Sequence, residues 1–260
     1  MAVINTEGIV IKQFDLGEAD KIITFYTKDY GIIRAVAKGV RKGKNRLSGI
    51  VLPFSYNNIT VYQGRSSLGR INHLNNIYTF TKLREDLTKM AYASFMAEIV
   101  DKVGLESDPN QILFSLLLAS FHKILIKESE EIKYVELAFK ILILSILGYK
   151  PEIKQCVSCK NEILKISTKK YIFDIKYGGL LCNNCTRSEY TYNENRDSIS
   201  EGSLQIIETI LEYGIKSLDK IIISKRQYEE LDRIINKFLF YHLDLKLKSL
   251  DFLNMIKDLG

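Results

Sequence analysis

Four cysteines set the first chemical constraint on this chain of 260 residues: Cys156 and Cys159, a gap of 22 residues, then Cys182 and Cys185. A Cys-x-x-Cys turn aims two sulfurs at one point. Two such turns on neighbouring hairpins close a tetrahedron of thiolates, the donor set of a structural zinc site. The gap slightly exceeds the usual ~15–20 residues, an excess that a hairpin inside it would absorb. Residues 163–167 and 170–175 are β-prone, and Gly178–Gly179 supplies a turn before the second pair. With all four coordination positions taken by sulfur, no place is left for a reacting water, so the expected cofactor is structural Zn2+. A redox dithiol needs one such pair, and four ordinary buried thiols would not show the paired spacing.

The second constraint is charge. Arg34, Lys38, Arg41, Lys42, Lys44 and Arg46 crowd one stretch, with Arg65 and Arg70 beyond it, and no Asp or Glu falls between Tyr30 and Arg84. Residues 31–80 therefore carry eight cationic side chains in a chain whose net charge is only +6, and the rest is slightly acidic. Charge this one-sided suits a polyanion. The run Gly39-x-x-x-Gly43-Lys44-Asn45 is one residue short of a phosphate loop and has Asn where Ser or Thr is needed, which argues against nucleotide hydrolysis. A solvated charge run is the plain alternative. Against it stand the glycines on both sides and the aromatics of the same region: Phe14, Phe25, Tyr26, Tyr30, Phe54, Tyr56 and Tyr62. Most of those rings belong in a small core, and those left outside would be free to stack on bases.

No catalytic set emerges. His73, His122 and His242 are far apart, neither GxSxG nor HExxH occurs, and Asp15, Glu18 and Asp20 read as a solvated acidic turn in preference to a metal site. The chain is not expected to be an enzyme.

Around these groups the sequence sets its elements. Residues 7–14, 21–28, 31–38, 51–62 and 67–78 are rich in Ile, Val, Thr, Phe and Tyr and are separated by turn residues. Five short strands suit a small closed barrel, since closure removes the edges, and an SH3-like barrel has the same strand count. The basic segment 39–49 then connects the third and fourth strands. From Thr81 the apolar period becomes helical. Asp108 with Pro109 reads as a helix start. A further helix over 130–147 ends at Gly148, with Pro151 behind it. Ser224 with Gln227 forms a capping-box pattern for a helix carrying Leu231, Ile234, Ile235, Phe238 and Leu239, and the tail from Leu245 is amphipathic. The fold class is α+β: a barrel over 1–80, helices over 81–150, a metal module inserted over 151–195, and helices again over 196–260. Nothing in the opening residues resembles a signal peptide, and no apolar run reaches the length of a span. The expected location is the cytoplasm, where thiols stay reduced.

In order along the chain, TEGIVIKQFDLGEADKIITFYTKDYG, AVAKGVRKGKNR, LPFSY with the Gln63–Gly64 turn, GYKPEIKQCVSC and YHLDLKLKSLDFL resemble successive motifs of the bacterial recombination mediators of the RecO family. Asn45 stands where that family usually has Ser, a change that leaves the charge intact. Some members lack the cysteines, and this chain keeps all four. The resemblance implies an OB-fold N-terminal domain, a helical domain and a zinc module. It also implies binding of single- and double-stranded DNA, annealing of complementary strands, and action with RecR in loading RecA onto strands covered by single-strand-binding protein (SSB), the RecFOR route of DNA repair at the nucleoid. A site for the SSB C-terminal tail on the helical domain is implied as well. Within that reading Arg34, Lys38, Arg41, Lys42, Lys44, Arg46, Arg65 and Arg70 meet phosphates. The rival readings are a scaffold whose basic patch docks an acidic protein, an RNA-binding OB-fold protein, and a metal-dependent nucleic-acid enzyme.

Overall fold

The computed structural model describes residues 2–42, 45, 47–64, 67–163, 170–188 and 194–259. Contacts divide the chain into two compact units, Met1–Ile132 with Lys246–Gly260, and Lys133–Leu245.

The first unit is built on alternation. Strands β1 (Ala2–Leu16), β2 (Asp20–Thr27), β3 (Gly31–Ala37), β4 (Tyr56–Gln63) and β5 (Leu68–Tyr78) close into a barrel in the order β1-β2-β3-β5-β4. β1 is long enough to serve two neighbours. Its first half pairs with β4 from Ala2↔Gln63 to Ile9↔Tyr56, and its second half pairs with β2, with a register shift between Val10 and Lys12. The step from β3 to β5 is parallel, Arg34↔Leu68 through Val36↔Arg70. This closed order with one parallel step is OB-like, and it separates the barrel from an SH3-like one of equal strand count.

Every second side chain points inward. Val10, Ile23, Phe25, Ile33, Ala35, Ile59, Val61, Ile71 and Leu74 form the barrel core, and Val40 and Val51 join it from the two ends of the basic connection. The connection is therefore stapled to the barrel at both ends, and Lys38, Arg41 and Lys42 at its start are left exposed. Gly31 opens β3 at φ +66°, and a Cβ there would sit 2.2 Å from the carbonyl oxygen of Leu105. The same oxygen accepts the Ile32 N–H at 2.9 Å, which draws the segment around Leu105 against the strand.

Two strand boundaries differ clearly from the sequence expectation: β1 already begins at Ala2, five residues before Glu7, because its first half pairs with β4. The fourth strand begins at Tyr56, whereas alternation places it from Val51. Pro53 has no N–H to give to a ladder, and Phe54 takes a left-handed φ of 71°. The Phe54 ring is instead buried against Phe121, centroids 5.3 Å apart, and the backbone exchanges hydrogen bonds with Val10 at the bulge.

Helices α1 (Thr81–Glu85), α2 (Leu87–Val103) and α3 (Gln111–Ile126) follow. The cap of α3 is a further correction. Asn110, not Asp108, accepts the Leu113 N–H at 2.9 Å, because Asp108 is drawn into a bridge with Leu105. The last helix, α8 (Lys248–Leu259), packs on α2. Glu98 of α2 accepts the backbone N–H groups of Lys248 at 3.1 Å and Ser249 at 2.7 Å, so one helix caps the start of another.

The second unit holds α4 (Ile132–Ile146, from Lys133 onward), strands β6 (Lys170–Asp174) and β7 (Gly179–Leu181), α5 (Asn183–Ser188), β8 (Arg196–Ser200), α6 (Glu201–Tyr213) and α7 (Lys225–Leu243). The sheet runs β7-β6-β8. The capping box at Ser224 and Gln227 forms as its pattern predicts. α7 lays Phe238 against Phe173 of β6, centroids 5.6 Å apart, and His242 Nε2 lies 2.8 Å from the Ile175 carbonyl. Lys140 of α4 is fully buried. Its Nζ is 2.9 Å from Glu136, 2.6 Å from Asp232 and 2.7 Å from Asn236. Burial alone would drive its pKa down. The two carboxylates outweigh burial and raise it, so the lysine stays charged.

Candidate nucleic-acid interface and metal centre

Alternation that sends Ala35 and Ala37 inward sends Arg34, Val36 and Lys38 outward. The parallel partner β5 places Arg70 beside Val36, and β4 places Tyr62 beside Arg70. These rows form one wall and the floor of an open cleft of about 590 Å³. Leu16 and Asp20, at the turn between β1 and β2, close the other side, and Gly64 and Leu68 line the end toward the β4–β5 connection. The cleft thus lies between the first turn and the last connection of the barrel, the two loops that flank oligonucleotide sites on OB folds.

The eight cations proposed from sequence separate here into groups. Lys44, Arg46 and Arg65 lie outside the described residues. Arg34 is tied to Glu106 in a short ion pair. Arg41 is 3.3 Å from Asp15, and its guanidinium also donates to the Gly17 carbonyl. Lys38, Lys42 and Arg70 are exposed and, among the described residues, form no ion pair. Lys38 and Arg70 are the two that line the cleft.

The acidic turn is a clasp. Asp15 binds Lys21 at 3.0 Å as well as Arg41, and the Lys21 hydrogen bond leads the interactions that hold its pKa below the usual carboxylate value. Asp20 accepts the Gly39 N–H at 2.7 Å, and the Arg41 N–H donates to the Ala19 carbonyl at 3.0 Å. The start of the basic segment is thereby held against the first turn. Its next bend is closed by Asn45, whose side chain donates to the Lys38 carbonyl at 2.9 Å and accepts the Leu47 N–H at 2.8 Å. Neither role was visible in the acid-free stretch itself, because the acids arrive from β1, from its turn and from the segment after α2.

In the second unit the four cysteine sulfurs lie within 4.8 Å of one another. Cys159 and Cys182 are 3.7 Å apart, the edge expected of a tetrahedron with metal–sulfur bonds of about 2.3 Å. The first pair sits on a tight turn in which the Lys160 N–H donates to the Cys156 carbonyl at 2.9 Å, with Lys160 left-handed at φ 63°. The second pair opens α5, and the hairpin of β6 and β7 in the gap brings it alongside. Burial would raise the pKa of Cys156. Backbone N–H groups of Cys159, Cys182 and Ser158 outweigh it and bring the thiol down to about 6. Donors aimed at sulfur favour thiolate, the form that binds a metal. The donor set, the spacing and the ready thiolate fit a metal ion held by all four cysteines. Of the gap strands expected from sequence, 170–175 corresponds to β6, Ile163 lies in a loop, and 164–169 lie outside the described residues.

Of the three histidines, His122 packs against the rings of Tyr78 and Phe80, and burial lowers its pKa. His242 lies among Tyr149, Phe238 and Tyr241. His73 is exposed on β5. Among the described residues His73 and His122 of the first unit share no ring contact, and His242 belongs to the second unit. No described helix is long and apolar enough to cross a membrane.

Comparison with known proteins agrees with this arrangement. The family "Recombination protein O N terminal" matches residues 1–80, and "Recombination protein O C terminal" matches residues 84–251. The DNA repair protein RecO of Thermoanaerobacter sp. is 30% identical over 260 residues, covering 100% of both chains. That of Pelotomaculum thermopropionicum is 30% identical over 254 residues, 98% of this chain and 94% of its own. That of Alkaliphilus metalliredigens is 31% identical over 241 residues, 93% of this chain and 94% of its own. The chain belongs to the RecO family of DNA repair and recombination proteins, which act as mediators rather than enzymes.

Proposed function

We propose that this protein binds DNA without regard to sequence through the cleft of its barrel, anneals complementary strands, and with RecR loads RecA onto SSB-coated single strands. One observation carries the DNA-binding part: Lys38 and Arg70 line the same open cleft, exposed and free of carboxylate partners among the described residues. Cations arranged this way neutralise phosphates, and such contacts position a strand without reading it. Lys42, and Lys44, Arg46 and Arg65 outside the described residues, extend the cationic run in sequence. Annealing follows from the same chemistry, since a cationic surface lowers the repulsion between two strands. The RecR, RecA and SSB steps rest on family membership.

In this reading residues 1–80 grip DNA and 151–195 hold structural zinc. The helices of 81–150 and 196–260 offer partner surfaces, among them a site for the acidic C-terminal tail of SSB. The tail site is tested by titrating a labelled tail peptide, and absence of binding removes it. DNA binding is tested with fluorescent oligonucleotides of unrelated sequence over a range of salt. Affinity falls by roughly 0.7 log units per log unit of salt for each phosphate contact on a single strand. Lys38→Glu with Arg70→Glu lowers both affinity and slope. Unchanged values would reject this cleft as the site. If a labelled acidic protein bound and no oligonucleotide did, the scaffold reading would take its place.

A further inference from the structure

Tyr62 is out of place as a structural residue. It is 41% exposed, at a position in β4 where Val61 beside it is fully buried. Among the described residues its ring contacts no other ring, lies under no cation, and its hydroxyl makes no hydrogen bond. The other exposed rings of the barrel differ. Lys12 lies 5.1 Å above Phe14, Tyr78 packs on Phe80 and His122, and Tyr30 stands at the β2–β3 turn, outside the cleft lining. Tyr62 faces the cleft together with Leu16, Lys38 and Arg70. Arg70 is its direct cross-strand partner, so a cation and a bare aromatic face stand side by side on one surface.

Gly69 lets the wall of the cleft pack closely. A Cβ there would point to the core side, 2.5 Å from Val61 Cγ1, so the strand that carries Arg70 lies tight against β4. The cleft volume, about 590 Å³, lies within the range of small-ligand sites.

We infer that this cleft is a nucleobase site: one unpaired base stacks on Tyr62, with the apolar Leu16 lining the same space, while Arg70 and Lys38 hold the phosphates on either side. The inference rests on the DNA-binding reading above and adds the ligand class. Every base has a π face, so stacking is blind to sequence, and it is worth roughly 1–3 kcal/mol per base. In a duplex those faces are covered by neighbouring pairs. The cleft therefore selects single strands by chemistry that the cations cannot supply. One base is held, and the bases beyond it remain free to meet a complementary strand.

The chain contains no tryptophan. In the full-length protein, Tyr62→Trp therefore places a single reporter in the cleft. A homothymidine oligonucleotide is expected to quench it, and an abasic oligonucleotide of equal length and a blunt duplex are not. Anisotropy of labelled DNA, read in parallel, reports binding itself. Tyr62→Ala is expected to weaken homothymidine binding about tenfold, within the range of one lost stack, and to leave the salt slope unchanged. Tyr62→Phe keeps affinity near that of the parent, since the stack does not use the hydroxyl and an exposed ring is replaced by a similar one. Equal affinity of Tyr62→Ala and parent, or unquenched tryptophan while anisotropy shows bound homothymidine, would overturn the inference and leave cleft binding through the cations standing. If the parent bound no oligonucleotide at any salt, the proposed function would fall, and this site with it.

Discussion

The guanidinium of Arg41 is held by the carboxylate of Asp15, 3.3 Å away across the first turn of the barrel. A cation that sequence places in the middle of an acid-free run is thereby partly neutralised, whereas its neighbour Lys42 is exposed and, among the described residues, unpaired.

These adjacent residues are accordingly expected to behave differently. Lys42→Ala reduces the single-strand salt slope by about 0.7, the value of one phosphate contact. Arg41→Ala changes it much less. Asp15→Asn, which releases Arg41, raises DNA affinity at low salt. Salt titrations of the three variants against one oligonucleotide check all three statements. Equal slopes for Lys42→Ala and Arg41→Ala would show that the clasp does not withhold the arginine.

The four-cysteine centre is expected to hold one zinc ion per chain. Cys156→Ser or Cys182→Ser loses the bound metal, read by elemental analysis of the purified protein. The second unit then becomes open to protease around 151–195, while the barrel retains its hydrogen-exchange protection. A strong chelator acting on the parent protein reproduces the pattern, because metal binding and folding of such a module are coupled. Full protection of the second unit after complete metal removal would make the ion dispensable to the fold.

Glu98 links acidity to the attachment of the C-terminal helix. Burial pushes its pKa up, but hydrogen bonds from Ser249 and Lys248 outweigh that and hold it below the ordinary carboxylate value. A folded pKa below the unfolded one means that the contribution is complete above the unfolded value and is lost as pH falls through the folded one. Amide exchange in Lys248–Leu259 is therefore expected to be slow at neutral pH and to gain opening below about pH 4, the unperturbed range for Glu. Glu98→Gln loosens α8 by about 1 kcal/mol at pH 7, as for other lost N-terminal caps. It also removes the acid dependence. Persistence of that dependence in Glu98→Gln would assign it to another group.

Lys140 tests a buried charge. Lys140→Met removes the cation 2.9 Å from Glu136, which is 1% exposed, and is expected to cost about 3–5 kcal/mol in urea unfolding. Lys140→Met with Glu136→Leu removes both charges of this buried pair and is expected to recover part of the loss. Asp232 is 23% exposed and can hydrate. A double variant as unstable as the single one would mean that the cluster stabilises by more than pairing charges.

Several features were set by the chain alone. Four cysteines in two close pairs carry their geometry in their spacing, because a knuckle is a local turn and the gap between the pairs needs only a hairpin. The alternation in Glu7–Phe14 and in Gly31–Ala37, and the cap at Ser224 with Gln227, depend on neighbours a few residues away, so they too were legible. The surplus of positive charge over 31–80 follows from counting.

Tertiary structure decided what depends on distant partners. The strand count allowed two barrels, and only the parallel contact of Arg34–Val36 with Leu68–Arg70 selects the OB-like one. Asp108 has the local chemistry of a helix cap, yet its bridge to Leu105 gives that role to Asn110. Pro53 and Phe54 looked like strand residues until the Phe121 pocket claimed the ring. Charge is screened or paired by whatever lies nearest in space. Arg34 and Arg41 met Glu106 and Asp15 only when the chain folded, while Lys38 and Arg70 form no ion pair among the described residues and share a cleft with Tyr62. Composition could say that this protein suits a polyanion. Which of its cations are free to hold one, and which ring stands beside them, is a property of the closed barrel, because register sets which side chains share a face.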